Sequence, residues 1–300
     1  MKNLTDYVLE IDNLTKYYGK FLAIDKLSLK VKKGEIYGFL GPNGAGKTTT
    51  IRTVLNILRA SKGTIKLFGI PLNGKKAVQL HERIGYIPGD VSLHGHMTVK
   101  QELDYFASLR PNKPSFRMQE FIERFQLDIN KHNRGLSKGN RQKVALVQAF
   151  MHDPDFYLFD EPSAGLDPLM QKELYKLIEE EAKKGKTFFI STHNLDEAQR
   201  LADIISIIRQ GKIVETIPVK ELRKKVVQKI AVEFLGDCTK QVNLNYPGVE
   251  IVENNNNHLL LRVTESLGEV LQSLSKYKIA TISIPEPMLE DYFMHFYEET

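Results

Sequence analysis

A glycine-rich stretch at residues 41–48 constrains the fold of this chain more than any other feature. It lies between an apolar run at 35–40 and a segment at 49–55 that is typical of a helix, and it consists of Gly41, Pro42, Asn43, Gly44, Ala45, Gly46, Lys47 and Thr48. A strand, a glycine-rich turn and a helix in this order form a phosphate-binding loop. Glycine lets successive backbone N–H groups point at one anion, and the helix N-terminus adds partial positive charge.

Two polar side chains at the end of this stretch indicate what it binds. Lys47 is placed to reach the β- and γ-phosphates of a nucleoside triphosphate, and Thr48 offers a hydroxyl to a Mg²⁺ ion bridging the same oxygens. Thr49 follows at the start of the helix and is grouped with the nucleotide-binding residues. The alternative, a glycine-rich turn with a chance lysine, does not account for a match at every position of the motif. We therefore predict that the chain binds a nucleoside triphosphate.

Composition limits the class of protein without identifying it. A chain of 300 residues with 42% hydrophobic residues can bury a substantial core, in one large domain or two unequal ones. Its single cysteine, Cys238, excludes an intrachain disulfide framework and favours a reducing compartment. The first residues lack the apolar segment of a signal peptide. No run approaches the ~18 apolar residues of a membrane span, so we expect any role at a membrane to depend on a partner.

The formal net charge of +5 is unevenly distributed. Acidic residues outnumber basic ones over 217–300, so the basic excess lies in the part that contains the phosphate-binding loop. Bound phosphates or an anionic lipid surface explain such an excess. Basic residues do not alternate with aromatic ones along a stripe, and we predict no nucleic-acid partner.

A second apolar run, at 156–159, ends in two adjacent carboxylates, Asp160 and Glu161. The run is typical of a strand that is buried on both faces of a parallel sheet. Two acidic side chains at the end of such a strand are costly unless a cation lies nearby. The Mg²⁺ ion predicted at Thr48 supplies that cation.

Four further residues are candidates for nucleotide binding when they are considered together with these motifs. His193 follows an apolar run at 187–191, and open α/β sheets place such strand ends at the ligand-binding edge; capping or packing is the alternative. Tyr18 stands before a glycine, upstream of the phosphate-binding loop, where its ring could stack on adenine; packing is again the alternative. Ser137 and Gly139 lie at a predicted helix N-terminus that favours an anion, and an ordinary N-cap is the alternative.

The order of segments predicts a larger α/β domain, 1–217, followed by a smaller α+β domain, 218–300. Residues 98–134 form a predicted helical insertion, in which Thr98 is an N-cap with Glu102 as its capping partner. Beyond residue 218 we predict a charged helix at 219–227, then a strand, a polar turn, a strand, a helix, a strand and a last helix at 288–297. This second part contains no catalytic constellation.

Together, the motifs over residues 4–217 resemble the nucleotide-binding subunit of an ABC transporter. The matches are Walker A at 41–48, Walker B at 156–160, the catalytic glutamate Glu161, the signature motif at 136–142, the D-loop at 163–167, the switch histidine His193 and the adenine-stacking Tyr18. The resemblance implies an α/β fold: a P-loop ABC ATPase core with an antiparallel β subdomain and a helical subdomain at about 98–134. Residues 218–300 would then form a small C-terminal α+β accessory domain.

The resemblance also implies a chemistry that uses ATP and Mg²⁺. Asp160 would hold the metal together with Thr48, and Glu161 would polarise the attacking water. His193 would contact the γ-phosphate, and Lys47 would stabilise the charge that develops there. These three residues, Glu161, His193 and Lys47, are the implied catalytic groups.

Partners follow from the same resemblance. Two subunits, as a homodimer or a heterodimer, would close over ATP, with Ser137 and Gly139 of one subunit binding the nucleotide held by the other. The chain would act as a peripheral protein on the cytoplasmic face of the membrane and drive a separate permease. A closing segment at 287–293 is similar to that of bacterial exporters whose ATPase and permease are separate chains.

Two sites depart from the family pattern. Lys138 and Asn140 occupy the third and fifth positions of the signature, where Leu-Ser-Gly-Gly-Gln is usual. Gly89 stands where the family has a glutamine that ligates Mg²⁺, and Asp90 follows it. Either a water or the Asp90 carboxylate must fill the vacant place, which makes Asp90 a candidate metal ligand. A solvated loop charge is the alternative.

Two other functions remain as alternatives. One is a soluble ABC ATPase of translation or DNA repair, but the chain has neither a second cassette nor a long coiled coil. The other is a regulatory module that binds ATP without turnover, which the presence of Glu161 and His193 opposes. We predict an ATPase subunit that powers export.

Overall fold

The structure, a computed structural model, describes residues 6–72, 77–109, 117–221, 228–236, 242, 244–263 and 266–284. The chain divides into two compact units, Met1–Val219 and Lys220–Thr300, and each is described by itself. Most of the helix predicted at 219–227, the closing segment at 287–293 and the last helix at 288–297 lie outside the described residues.

The first unit begins with antiparallel strands and continues with alternating strands and helices. Its strands are β1 (Tyr7–Tyr18), β2 (Phe21–Lys32), β3 (Ile36–Leu40), β4 (Lys62–Leu67), β5 (Ile70–Pro71), β6 (Ile84–Ile87), β7 (Phe156–Asp160), β8 (Thr187–Thr192), β9 (Ile204–Arg209) and β10 (Lys212–Pro218). Its helices are α1 (Lys47–Val54), α2 (Ala77–Leu80), α3 (Val99–Ser108), α4 (Met118–Arg124), α5 (Lys138–Phe150), α6 (Pro168–Lys183) and α7 (Leu195–Leu201), and short 3₁₀ turns cover His81–Arg83 and Asn133–Gly135.

A six-stranded sheet in the order β10-β9-β3-β8-β7-β6 forms the centre of this unit. Its strands from β9 to β6 are parallel, and every residue of β3, β7 and β8 is buried. A sheet covered on both faces requires such continuous apolar strands. Leu40 pairs with Thr192, and Asp160 pairs with Ser191, so three strands end at the same edge. The α/β fold expected from the sequence is confirmed.

A second, antiparallel sheet has the order β2-β1-β4-β5. Leu9 of β1 and Ile24 of β2 belong to the same buried core as Ile51 of α1 and Phe156 of β7. This shared core fixes the antiparallel sheet against the helix that follows the phosphate-binding loop. The antiparallel β subdomain implied by the family resemblance is therefore present.

The helical part begins at Thr98, the N-cap of α3. Its Oγ1 accepts a hydrogen bond from the N–H of Gln101 at 3.2 Å, and Oε1 of Gln101 accepts one from the N–H of Thr98 at 2.9 Å. The prediction that Glu102 is the capping partner is wrong, because the Glu102 side chain points into the interior. The Glu102 carboxylate is 1% exposed and accepts hydrogen bonds from Asn133 at 3.0 Å and from the N–H of His94 at 3.2 Å.

The second unit has its own sheet and core. Its elements are β11 (Gln228–Phe234), β12 (Val249–Asn255), β13 (His258–Val263), α8 (Leu267–Leu274) and β14 (Ile279–Ser283), with the sheet order β12-β13-β11-β14. Val270 and Leu274 of α8 share a buried cluster with Ile230 and Leu261 of the sheet. Sequence reasoning missed β12, because this edge strand exposes nearly all its side chains and its last three residues, at 253–255, are polar. None of the described helices in either unit is long and apolar enough to cross a membrane.

Candidate functional site

The stretch 41–48 connects β3 to α1 in a tight loop. A Cβ atom on Gly41 would overlap the carbonyl oxygen of Ile208, so glycine is required there. Gly46 has a φ of 111°, in the region that favours glycine, and precedes Lys47, the first residue of α1. The loop therefore ends at a helix N-terminus, where unpaired N–H groups attract an anion.

The Lys47 ammonium group is fixed above this loop. Its Nζ donates hydrogen bonds to the carbonyl oxygens of Gly41 at 2.7 Å and Pro42 at 3.1 Å, and it lies 3.4 Å from Oε1 of Glu161. The side chain is 5% exposed. A buried cation beside open backbone N–H groups is suited to bind phosphate through charge-assisted hydrogen bonds.

Asp160, the last residue of β7, is a buried carboxylate with hydroxyl partners. It is 1% exposed, and its oxygens accept hydrogen bonds from Oγ1 of Thr48 at 2.6 Å and from Oγ of Ser191 at 2.5 Å. A carboxylate in this setting is costly without a cation. Carboxylate and hydroxyl oxygens are the ligands that Mg²⁺ prefers, so Asp160 and Thr48 fit the implied metal.

Glu161, the residue after β7, is held in an unusual backbone conformation. Its φ is 51°, a left-handed value that non-glycine residues adopt at a cost of about 1–3 kcal/mol. Its N–H donates to the carbonyl oxygen of Ser191 at 3.0 Å. Oε1 of Glu161 lies 3.2 Å from Nδ1 of His193, so the side chains after β7 and β8 meet. The strained backbone directs this carboxylate toward Lys47.

A cleft of about 310 Å³ opens beside these groups. Its lining residues are Tyr18, Phe21, Ala23, Asn43, Gly44, Gly46, Lys47, Thr48, Thr49 and Glu161. Tyr18 pairs with Phe21 across the β1–β2 hairpin, and their side chains are 46% and 67% exposed. Two exposed aromatic rings at the border of an anion-binding loop can contact a flat heterocycle. Sequence reasoning missed Phe21, because a single aromatic residue carries no motif.

Ser137 and Gly139 lie at the start of α5 and contact a different turn. Ser137 is the N-cap of α5, and its Oγ accepts a hydrogen bond from the N–H of Asn140 at 3.3 Å. A Cβ atom on Gly139 would lie 2.6 Å from the carbonyl oxygen of Gly165. Both residues are described, and neither is among those lining the cleft. The structure of one chain thus shows the capping role and does not bring these residues to the phosphate-binding loop.

Gly89 and Asp90 follow β6 and differ in their relation to Asp160. A Cβ atom on Gly89 would lie 3.1 Å from Oδ2 of Asp160, so the side-chain position of residue 89 faces the proposed metal site. Asp90 is exposed, and no hydrogen bond or ion pair joins its side chain to another described residue. Its role as a metal ligand stays a prediction.

Ser191 is a further residue whose role the sequence did not reveal. It is fully buried in β8, donates its hydroxyl to Asp160, and accepts the N–H of Glu161 at its carbonyl oxygen. Parallel pairing of β7 with β8 creates both contacts.

Nearby, burial raises the pKa of Tyr86, and the charge of Asp160 raises it further.

Comparisons with known proteins agree with this geometry. The family described as "ABC transporter" matches residues 24–164, and one described as "AAA domain, putative AbiEii toxin, Type IV TA system" matches residues 132–197. Two relatives are named "Bacitracin transport ATP-binding protein BcrA". The one from Bacillus licheniformis is 34% identical over 96% of this chain and 96% of its own length. The one from Enterococcus faecalis is 31% identical over 97% of this chain and 96% of its own length.

A solved structure shares the fold of about three quarters of the chain. It is cbiO1 from Clostridium perfringens, described as part of the ABC transporter complex cbiONQ. It is 27% identical and superposes with a TM-score of 0.62, covering 74% of this chain and 92% of its own length.

Proposed function

The chain belongs to the ATP-binding subunits of ABC transporters, and from this premise we propose that it is a Mg²⁺-dependent ATPase that dimerises and drives export through a separate permease. The observation that best supports ATP hydrolysis is that the side chains of Lys47 and His193 both contact Oε1 of Glu161. Nζ of Lys47 lies 3.4 Å from this oxygen and Nδ1 of His193 lies 3.2 Å from it. Phosphoryl transfer depends mainly on such positioning and charge stabilisation.

Glu161 is the proposed group that orients the attacking water and accepts its proton. Its side chain is 24% exposed, so water can reach it, and Nζ of the loop lysine, Lys47, lies 3.4 Å from its Oε1. His193 is 56% exposed and is proposed to contact the γ-phosphate while it fixes the orientation of Glu161. Lys47 would exchange the carbonyl oxygens of Gly41 and Pro42 for phosphate oxygens when ATP binds.

Asp160 and Thr48 are the proposed holders of Mg²⁺. The described residues contain no group of three or more His, Cys, Asp or Glu side chains suited to a metal ion. Asp160 and Thr48 would supply oxygen ligands and phosphate oxygens would supply others, since Mg²⁺ is usually bound by one or two carboxylates together with substrate phosphates. When bound, Mg²⁺ neutralises charge on the β- and γ-phosphates. The vacant place at Gly89 is assigned to a water or to Asp90.

Dimerisation is proposed because the signature residues need a second subunit to act on ATP. Ser137 and Gly139 stand apart from the cleft of their own chain, at a helix N-terminus that favours an anion. In a head-to-tail homodimer or heterodimer, they would meet the nucleotide of the partner. Lys138, beside them, would add a positive charge near the phosphates.

The permease and the direction of transport rest on the relatives. Proteins similar to this chain over nearly its whole length are named as transport ATP-binding proteins, and the similar solved structure is part of a transporter complex. Export is favoured by the variant signature and by Gly89, which resemble exporters with separate ATPase and permease chains. The chain would lie at the cytoplasmic face of the membrane, bound to the permease. A soluble, non-transport ATPase or a regulatory module is less favoured on the same grounds.

The test has a catalytic part and a binding part. Phosphate release from ATP is measured with and without Mg²⁺ for the wild type and for Lys47→Ala, which removes the phosphate-binding charge. We expect hydrolysis only with Mg²⁺ and only in the wild type. Separately, the tagged chain is isolated from detergent-solubilised membranes of its own cells, and a protein with several membrane spans should accompany it. Turnover equal in Lys47→Ala and wild type would disprove the proposed ATPase site, and isolation without any membrane protein would oppose the transport role.

A further inference from the structure

Glu197 is a buried carboxyl group to which the proposed mechanism gives no part. It lies in α7, four residues after His193, and is 3% exposed. Its two carboxyl oxygens are inaccessible to solvent, and neither has a hydrogen bond of good geometry among the described residues. A buried acid without such bonds is costly, so the surroundings of this group require an explanation.

Three hydroxyl groups from three different elements face the Glu197 carboxyl. They belong to Thr192 at the end of β8, Ser163 in the turn after β7, and Tyr175 of α6. The imidazole of His193 is a nearby group that can carry positive charge. The Tyr175 hydroxyl faces Ser163 as well, and burial beside Glu197 raises the pKa of Tyr175 to about 12.

These hydroxyls flank the two residues assigned to hydrolysis. Thr192 immediately precedes His193, and Ser163 is two residues beyond Glu161. Glu197 is described and is not among the residues that line the cleft, whereas its neighbours Thr192 and Ser163 flank His193 and Glu161 in sequence. Burial raises the pKa of Glu197.

We propose that Glu197 is a positioning residue, which joins the turn after Glu161 to the strand end before His193 and so fixes the distance between these two side chains. The inference rests on the proposed ATPase function. Glu197 touches neither nucleotide nor metal in this scheme; it acts through Ser163 and Thr192. Because Asp167, the N-cap of α6, lies in the same turn as Ser163, a movement of this turn when two subunits meet would be transmitted to His193 through Glu197.

The first experiment compares Glu197→Ala with Glu197→Gln in the full chain. The alanine variant removes the bridge, and a displacement of catalytic groups should lower kcat by about tenfold or more, with little change in the Kd for ATP. The glutamine variant keeps the shape of the side chain and can still form hydrogen bonds with the facing hydroxyl groups, so it should recover most of the lost kcat. Glu181→Ala is the matched control: Glu181 is fully buried, pairs with Arg117 and lies in α6. It should lower thermal stability without lowering kcat.

The second experiment asks whether Glu197 acts through Ser163. The double variant Glu197→Ala/Ser163→Ala should be no slower than the slower single variant, because both changes break the same bridge. Tyr175→Phe, which removes one facing hydroxyl and keeps the ring, gives a milder test if Glu197→Ala does not fold. NMR resonances of the His193 ring should shift in Glu197→Ala and Tyr175→Phe, but not in Glu181→Ala, whether or not the chain hydrolyses ATP.

The outcomes separate this inference from the proposed function. A wild type that binds ATP without hydrolysing it contradicts the proposed function, and the His193 resonances then decide the role of Glu197. The inference is overturned if Glu197→Ala keeps wild-type kcat and His193 resonances. It is also overturned if the effects of Glu197→Ala and Ser163→Ala multiply, or if Glu197→Gln is as impaired as Glu197→Ala.

Discussion

Very different side chains are buried in two regions of the molecule: the edge of the central sheet where β3, β7 and β8 end, and the second unit. At the edge, Lys47, Asp160 and Glu197 are each at most 5% exposed, and Glu161 has a strained backbone. In the described part of the second unit, the buried side chains are apolar apart from Ser273. Burying charge lowers stability unless a ligand or partner compensates it. The comparison indicates that the first unit accepts this loss at the proposed site, whereas the described core of the second unit avoids it.

The most severe test of this difference is Glu161→Gln. Replacing the proposed base by an amide should lower turnover by about 10²–10⁴-fold, the usual contribution of general base catalysis. ATP binding should persist, and the variant should accumulate as an ATP-bound dimer, which sedimentation can measure. Glu233→Gln changes an exposed carboxylate of the second unit and is the matched control. Hydrolysis by Glu161→Gln near the wild-type rate would refute the assignment.

A cavity in the core of the second unit should affect stability without affecting the site. Leu261 is fully buried beside Val232, and Leu261→Ala should lower the free energy of unfolding of that unit by about 2–5 kcal/mol. ATP affinity should stay unchanged below the unfolding transition, as followed by denaturant titration and equilibrium binding. Leu158→Ala, in the fully buried β7, should instead lower stability and ATP affinity together. Equal losses of ATP affinity in both variants would contradict the separation of the two regions.

Removal of the second unit tests its role more directly. We propose that it serves dimerisation or regulation, because it has its own core and no buried charge in its described part. A chain ending at residue 219 should still bind ATP but self-associate more weakly or lose controlled turnover. Sedimentation and ATPase assays decide this, and no change in either would exclude both roles.

A smaller effect is expected at the aromatic border of the cleft. Tyr18→Ala should weaken ATP binding by a factor of about two to ten, since stacking contributes about 0.5–1.5 kcal/mol. Tyr18→Phe keeps the ring and should bind ATP as the wild type does. Phe21→Ala measures the contribution of the second exposed ring. Equilibrium titration with ATP is the measurement, and an unchanged Kd for Tyr18→Ala would leave this residue with a packing role only.

The smallest effect should come from Asp90→Asn. If Asp90 approaches the metal when the dimer closes, its loss should raise the Mg²⁺ concentration for half-maximal hydrolysis severalfold and leave ATP binding intact. Gly89→Ala places a methyl group 3.1 Å from Oδ2 of Asp160 and is a useful companion. Identical Mg²⁺ dependence in wild type and Asp90→Asn would exclude Asp90 from the coordination shell.

The sequence by itself determined the family and the fold class of this protein, because the informative motifs are local. The phosphate-binding loop, the apolar strands before Asp160 and His193, and the α/β order depend on neighbouring residues and are readable from spacing. The sequence did not predict that Gln101, rather than Glu102, pairs with the N-cap Thr98. The Glu102 carboxylate is instead buried, where it accepts a hydrogen bond from Asn133. The exposed edge strand β12 was missed because its apolar residues are few and it ends in a polar run at 253–255.

Only the tertiary structure decided which side chains meet. Lys47, Glu161 and His193 are far apart in sequence, and parallel pairing of β3, β7 and β8 brings them to one oxygen. The same register places Ser191 on Asp160, and the packing of α6 and α7 places Tyr175 near Glu197. Such contacts depend on strand register and helix packing, which the whole core fixes and which no short stretch of sequence encodes.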